Sequence, residues 1–252
     1  MRGAAPQPAF VLHRWDWSES SLIVDLFVRE AGRVAVAAKG AKRPTSNLRA
    51  VLMPFQRIQV TFARTRVETA SDIHNLRSAE WGGGAPIGGG EAMLAGFYLN
   101  ELLMKLLARD DPHSALWDAY AATLPHLGGG EEAAALRAFE LVLLAETGHL
   151  PDLSCLTATQ QPMDSVRRYA LHPELGLVEA PAADDASLPG TALVALHVAC
   201  AARDLDSLRA ACAPVEAALR RHLRRMLAYH LGAAPLRTRE VVRALQPLLN
   251  GR

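Results

Sequence analysis

The tract Gly82-Gly83-Gly84-Ala85-Pro86-Ile87-Gly88-Gly89-Gly90 sustains neither helix nor strand, and the hydrophobic period changes across it. Before it the period is two. Leu22, Val24, Leu26 and Val28 alternate with Ile23, Asp25, Phe27 and Arg29, and Val34 and Val36 alternate with Arg33, Ala35, Ala37 and Lys39. Ile58, Val60 and Phe62 likewise alternate with Arg57, Gln59 and Thr61, while Glu30-Ala31-Gly32 reads as a hairpin turn. Several short strands in so little chain predict a small closed barrel or a sandwich over residues 1–81, with 82–90 as a linker.

After the glycines the period is helical. Met93, Phe97, Leu99, Leu102, Leu103, Leu106 and Leu107 mark one helix, Leu116, Trp117, Tyr120 and Leu124 the next, and Leu136, Phe139, Leu143 and Leu144 a third that stops at Gly148. Residues 150–189 have no sustained period and several prolines, which predicts an irregular insert with a short hairpin around Tyr169 to Val178. Helix returns from Leu193 to Ala202 and from Leu205 to Leu231, with a kink or break at Pro214. The whole reads as α+β: a β-domain, then a mostly helical domain over 91–252.

Charge is segregated within the β-domain. The formal net charge is only +1, yet no acidic residue falls between Glu30 and Glu68, where Arg33, Lys39, Lys42, Arg43, Arg49, Arg57, Arg64 and Arg66 all lie. Such a stretch has two readings: scattered solubilising charge, or a field that draws phosphate backbones by counterion release. Strand parity puts Arg33 and Lys39 on one face, and Pro44 with the polar residues behind it places Lys42 and Arg43 in a loop.

Motifs for covalent or metal chemistry are missing. Neither glycine tract is followed by the Gly-Lys-Ser/Thr of a phosphate loop, and no His-Glu-x-x-His, Gly-x-Ser-x-Gly or paired-cysteine motif occurs. Cys155, Cys200 and Cys212 are an odd number spaced far apart, which fits buried thiols in a reducing compartment better than a disulfide frame. No apolar run approaches the roughly 18 residues of a membrane span, and the start of the chain lacks a signal-peptide core, so a soluble cytoplasmic protein that is not an enzyme is expected.

The order of local segments resembles the bacterial recombination-mediator family RecO. Phe10-Val11-Leu12-His13 and Ser18-Glu19-Ser20-Ser21-Leu22 look like its opening strand and turn, Val36-Ala37-Ala38-Lys39-Gly40-Ala41-Lys42-Arg43 like its basic loop, and Met53-Pro54-Phe55 like the segment after its short helix. Tyr98-Leu99-Asn100-Glu101-Leu102-Leu103, Leu136-Arg137-Ala138-Phe139-Glu140-Leu141 and Pro235-Leu236-Arg237-Thr238-Arg239-Glu240 continue the series.

The resemblance implies an N-terminal OB-fold β-barrel followed by a helical domain. It implies a protein of the RecFOR pathway, nucleoid-associated, that binds single- and double-stranded DNA, anneals complementary strands, binds the acidic C-terminal tail of SSB and, with RecR, promotes RecA loading on SSB-coated gaps. Arg33, Lys39, Lys42, Arg43, Arg57, Arg64 and Arg66 are then the candidate DNA contacts, since an OB barrel tracks a backbone with basic residues. For the SSB tail the candidates are Arg137 with Phe139, then Arg209 and Arg225; the competing reading pairs Arg137 with Glu140. The alternative to DNA binding is a protein adaptor whose basic barrel meets acidic partners. Many members of the family carry four cysteines as a zinc site in the insert; here Cys155 stands with only His149 and His172, so an insert without zinc, and no cofactor or small-molecule substrate, is expected.

Overall fold

The computed structural model describes residues 5–63, 73–84, 86–181, 184, 186–232 and 235–249. The chain falls into two compact units, one of Met1–Gly88 with Gly96–Asp118 and the other of Gly89–Ala95 with Ala119–Arg252.

Five strands close the barrel of the first unit: β1 (Gln7–Asp16), β2 (Leu22–Val28), β3 (Gly32–Ala38), β4 (Arg57–Phe62) and β5 (Ile73–Trp81), with a one-turn helix α1 (Leu48–Val51) between β3 and β4. Their order around the barrel is β1-β2-β3-β5-β4, and β4 closes back on β1. All pairings are antiparallel except β3 with β5. That order, with its one parallel join, is the OB topology. Alternating residues fill the interior, among them Val11, Val24, Leu26, Val34, Val36, Ile58 and Val60. The β1–β2 register shifts between Val11 and His13, a bulge of the kind that bends a strand around a small barrel. Gly32 opens β3 at φ +73°, and a Cβ there would overlap the Asp111 backbone.

The outer face of β2 and β3 is also buried, because residues 96–118 cover it. Trp117 Nε1 donates to Phe27 O at 3.0 Å, Asn100 Nδ2 to Leu12 O at 2.7 Å, and Asp110 N to Arg33 O at 2.9 Å. Asp25 and Phe27, outward by parity, are therefore fully enclosed.

The second unit is mostly helical. From α2 (Glu91–Leu106) and α3 (Ser114–Thr123) it takes the portions given above; α4 (Glu132–Glu146), α5 (Gly190–Ala202), α6 (Leu205–Cys212), α7 (Glu216–Leu231) and α8 (Arg237–Leu249) follow. Phe139, Leu143 and Leu144 of α4, Leu208 and Cys212 of α6, and Leu219, Leu223 and Leu227 of α7 are buried. A short 3-10 turn at Ala213–Val215 holds Pro214 and separates α6 from α7, which is the break expected there.

The insert is more regular than its sequence suggested. It holds a three-stranded sheet ordered β7 (Gly176–Glu179), β6 (Arg168–His172), β8 (Leu188–Pro189), and β6–β7 is the expected hairpin. Thr157 ties its loop down: Thr157 N donates to Leu177 O at 3.0 Å, and Leu177 N donates to Thr157 Oγ1 at 2.9 Å. Asp164 N donates to Tyr169 Oη at 2.7 Å. Among the described residues no three His, Cys, Asp or Glu side chains converge as metal ligands would.

Candidate nucleic-acid interface

One end of the barrel gathers cations and aromatics. The register sets Asp16 opposite Leu22 and Leu22 opposite Ala38, so the β1–β2 turn and the loop after β3 emerge side by side. The loop folds over that turn: Lys42 N donates to Ser20 O at 3.0 Å, and Lys42 Nζ to Ser18 O at 3.0 Å. Ala41 plugs the barrel end, fully buried. Lys39 and Arg43 in the same loop are exposed, as is Arg49 on α1. Trp15 and Trp17 are exposed on the neighbouring strand end, Trp17 by 57%, and the Trp15 ring meets His13 edge-on at 4.4 Å.

Exposed rings beside flexible cations can stack a base while the cations hold the flanking phosphates. The end is not purely basic. Lys42 is half-buried and pairs with Asp16 at 3.1 Å, and Glu19 is exposed in the same turn.

The remaining barrel candidates divide. Arg33 is turned away from solvent, its side chain only 15% exposed: it donates to Asp25 Oδ2 at 3.0 Å and to the carbonyls of Met104 and Leu107 at the end of α2. Parity placed Arg33 and Lys39 on one face, but residues 96–118 cover the Arg33 end of it, so Arg33 does not fit a phosphate contact. Arg57 is exposed on β4, with its guanidinium carbon 5.4 Å from the Trp117 ring centroid. It sits opposite Phe10, five residues along β1 from Trp15, or ~17 Å at strand rise, and so outside the cluster. Arg64 and Arg66 lie outside the described residues.

In the second unit Arg137 and Phe139 belong to the core. Arg137 is 6% exposed, donates to Glu140 Oε1 at 2.7 Å and lies 3.4 Å from Glu216 Oε1, while Phe139 is fully buried 6.1 Å from the Tyr120 ring. The pairing with Glu140 is the arrangement found, and it leaves neither residue open to a peptide. Arg209 is engaged as well, by His126, by Glu131 at 3.5 Å and by Asp206 at 3.3 Å. Arg225 is exposed. It shares the outer side of α7 with Arg220, Arg221 and Arg224, in line with the half-exposed ring of Tyr229, while Leu219, Leu223, Met226 and Leu227 are buried on the other side. A second acid-free stretch runs here from Glu216 to Glu240, a signal of the same kind as that in the barrel.

Cys200 and Cys212 are not poised for chemistry. Burial pushes Cys212 up to about 12 and Cys200 up to about 11, so both are protonated near neutrality.

Comparison with known proteins matches residues 1–82 to the family model described as Recombination protein O N terminal, and residues 89–240 to Recombination protein O C terminal. The chain is 48% identical over 248 residues to the DNA repair protein RecO of Verminephrobacter eiseniae, covering 97% of both chains. It is 48% identical over 260 residues to that of Acidovorax ebreus, covering 98% of this chain and 99% of the relative. To that of Variovorax paradoxus it is 46% identical over 257 residues, covering 96% of each. Among the described residues no helix is long and apolar enough to cross a membrane.

Proposed function

Since the chain belongs to the RecO family of DNA repair proteins, we propose that it acts as a non-enzymatic mediator that binds single- and double-stranded DNA, anneals complementary strands and, with RecR, promotes RecA loading on SSB-coated gaps. The observation that carries this reading is the barrel end, where the loop with exposed Lys39 and Arg43 folds over the turn that follows exposed Trp15 and Trp17. Cations there bind phosphates without reading sequence, and the indoles favour unstacked bases. Such a surface accepts any sequence, as annealing requires. The cytoplasm, at the nucleoid, is where a protein with these partners works.

For the acidic tail of SSB the supporting feature is the arginine side of α7, with Arg225 among its exposed members. Guanidinium groups pair with carboxylates by charge-assisted hydrogen bonds; Arg220 already meets Glu216 on the same helix at 3.9 Å, which leaves Arg221, Arg224 and Arg225 as the candidates.

The deciding experiment is a salt titration of binding to a fluorescent oligonucleotide, for the wild type and for Lys39→Glu with Arg43→Glu. The double variant is expected to lose affinity for all sequences alike and to flatten the salt slope by about one unit per phosphate contact removed. Wild-type protein that ignores DNA but binds acidic proteins would make the chain an adaptor instead.

A further inference from the structure

Strand β5 ends on an indole at the barrel end that α1 closes. Trp81 sits opposite Ile58 of β4 and shares strand parity with Ala79, whose side chain is buried. Two residues further on the interior has ended, and the Trp81 ring is 63% exposed. Its backbone is fixed there: Gly82 N donates to Arg57 O at 2.9 Å, and a Cβ on Gly82 would press on the Ile58 backbone at 3.0 Å. Glu80, exposed beside it in the chain, belongs to the opposite face of β5 by the same parity. We propose that Trp81 is a second base-stacking station, and that a single strand held at Trp15 and Trp17 crosses the barrel end over α1 to reach it. This rests on the DNA binding proposed above and gives it a path.

Helix α1 joins the two groups of rings. Leu52 at its C-cap is fully buried, Leu48 and Val51 lean on the barrel core, and Arg49, Ala50 and Met53 are left exposed. On one side α1 packs against β5. On the other, Arg14 of β1 donates from Nη1 to Leu52 O at 3.4 Å, and Arg14 directly precedes Trp15. The chain leaving α1 then runs beside β1, where Phe55 N donates to Val11 O at 2.9 Å and Val11 N to Gln56 O at 3.1 Å. The surface from Trp15 to Trp81 is thus continuous within one compact unit, with α1 as its middle.

The chemistry along this surface selects a single strand. Residues 31–63 hold no carboxylate, so α1 and the loop before it offer cations only, with Lys39, Arg43 and Arg49 exposed among them. The acids of this end, Asp16 and Glu19, belong to the β1–β2 turn, and Asp16 is taken by Lys42. Cations between separated rings fit a polyanion whose bases are free to stack one at a time. A duplex keeps its base faces on one another and gains little from a second ring.

The strand registers give the span. Trp81 is in line with Ile58 and Ile58 with Ala9, so Trp81 lies two strand spacings from β1, ~10 Å, and Ala9 lies ~20 Å along β1 from Trp15. The two together make ~22 Å, which the curvature of the barrel shortens. That is within reach of the roughly 4–16 nucleotides that one OB fold holds.

The test titrates the full chain with an oligo-dT of about 15 nucleotides and, in parallel, with duplex DNA. Trp81→Ala is expected to bind the single strand about tenfold more weakly, with duplex affinity and the circular-dichroism spectrum unchanged. Indole fluorescence gives a second reading. In the Trp15→Phe, Trp17→Phe protein the remaining indoles are Trp81 and the buried Trp117, so quenching by the oligonucleotide reports Trp81, and adding Trp81→Phe should remove it. Wild-type single-strand affinity in Trp81→Ala, or a double variant that binds without quenching, overturns the proposal and leaves DNA binding in place. Equal losses on single strand and duplex overturn it too, by making Trp81 a packing residue. A wild type that binds no DNA overturns both readings.

Discussion

Arg33 on β3 holds the carboxylate of Asp25 on β2 at 3.0 Å on the covered outer face of the barrel, and the same guanidinium caps the last carbonyls of α2. Asp25 is fully buried, and its Oδ1 and the Arg33 Nε have no hydrogen-bond partner among the described residues. The pair thus ties a strand, its neighbour and a helix end together while leaving two polar atoms unsatisfied. Arg33→Met strips the partner from a buried charge and is expected to destabilise the protein by about 3 kcal/mol or more in urea unfolding. The DNA affinity of the protein that remains folded should not change. A loss of DNA affinity at unchanged stability would return Arg33 to the interface.

On the proposed DNA-binding mode, Trp17 is expected to separate single strands from duplex. Its ring is exposed at the barrel end, next to the turn that Lys42 holds. In a duplex the base faces are already stacked on one another, so an indole gains little there. Trp17→Ala should weaken single-strand binding by about 1–3 kcal/mol, the order measured for one stacked base, with a much smaller effect on duplex. Equal losses on both substrates would make Trp17 a packing residue.

Alternation along β2, β3 and β4 was sufficient to read strands and their turn, because the period of two is local. It could not choose between barrel and sandwich, since closure rests on β1 with β4 and β3 with β5, pairings far apart in the chain. Parity also separates only the two sides of a sheet and says nothing of what covers the outer one, which is why Arg33 read as solvent-facing. A signal was present: Asp25 stands alone as a charge in Leu-Ile-Val-Asp-Leu-Phe-Val, and a carboxylate in so apolar a strand needs a buried cation. The same holds for Arg137 and Glu140, an i, i+3 pair inside an otherwise apolar stretch of α4. By contrast, Gly40 and Pro44 marked a loop, and Lys39 and Arg43 are exposed on it although Ala41 and Lys42 between them turn inward.

Arg137 therefore predicts a stability phenotype. Its guanidinium spans Glu140 on its own helix and Glu216 at the start of α7. Arg137→Ala is expected to cost about 3 kcal/mol of stability by removing the guanidinium that meets the buried carboxylate of Glu140. Arg221→Glu with Arg225→Glu, on the exposed side of α7, should leave the melting temperature within a few degrees and abolish binding of an SSB tail peptide. A stable Arg137→Ala protein that no longer binds the peptide would reverse that assignment.

His149 and His230 stack at 3.8 Å with their rings 13° apart, and Tyr229 meets His230 edge-on at 5.2 Å. Burial, and secondarily the neighbouring His149, hold His230 below the ordinary imidazole range. The sign follows from which form the fold prefers. Folding favours neutral His230, so its contribution is complete above the unfolded value of about 6.5 and is lost as pH falls through the lower folded value. Urea unfolding from pH 8 down to pH 5 should show stability declining below about 6.5. His230→Phe keeps an aromatic ring against His149 without a proton to gain, and its stability should fall less over the same interval. A variant whose pH profile is superimposable on the wild type would place the acid sensitivity elsewhere in the chain.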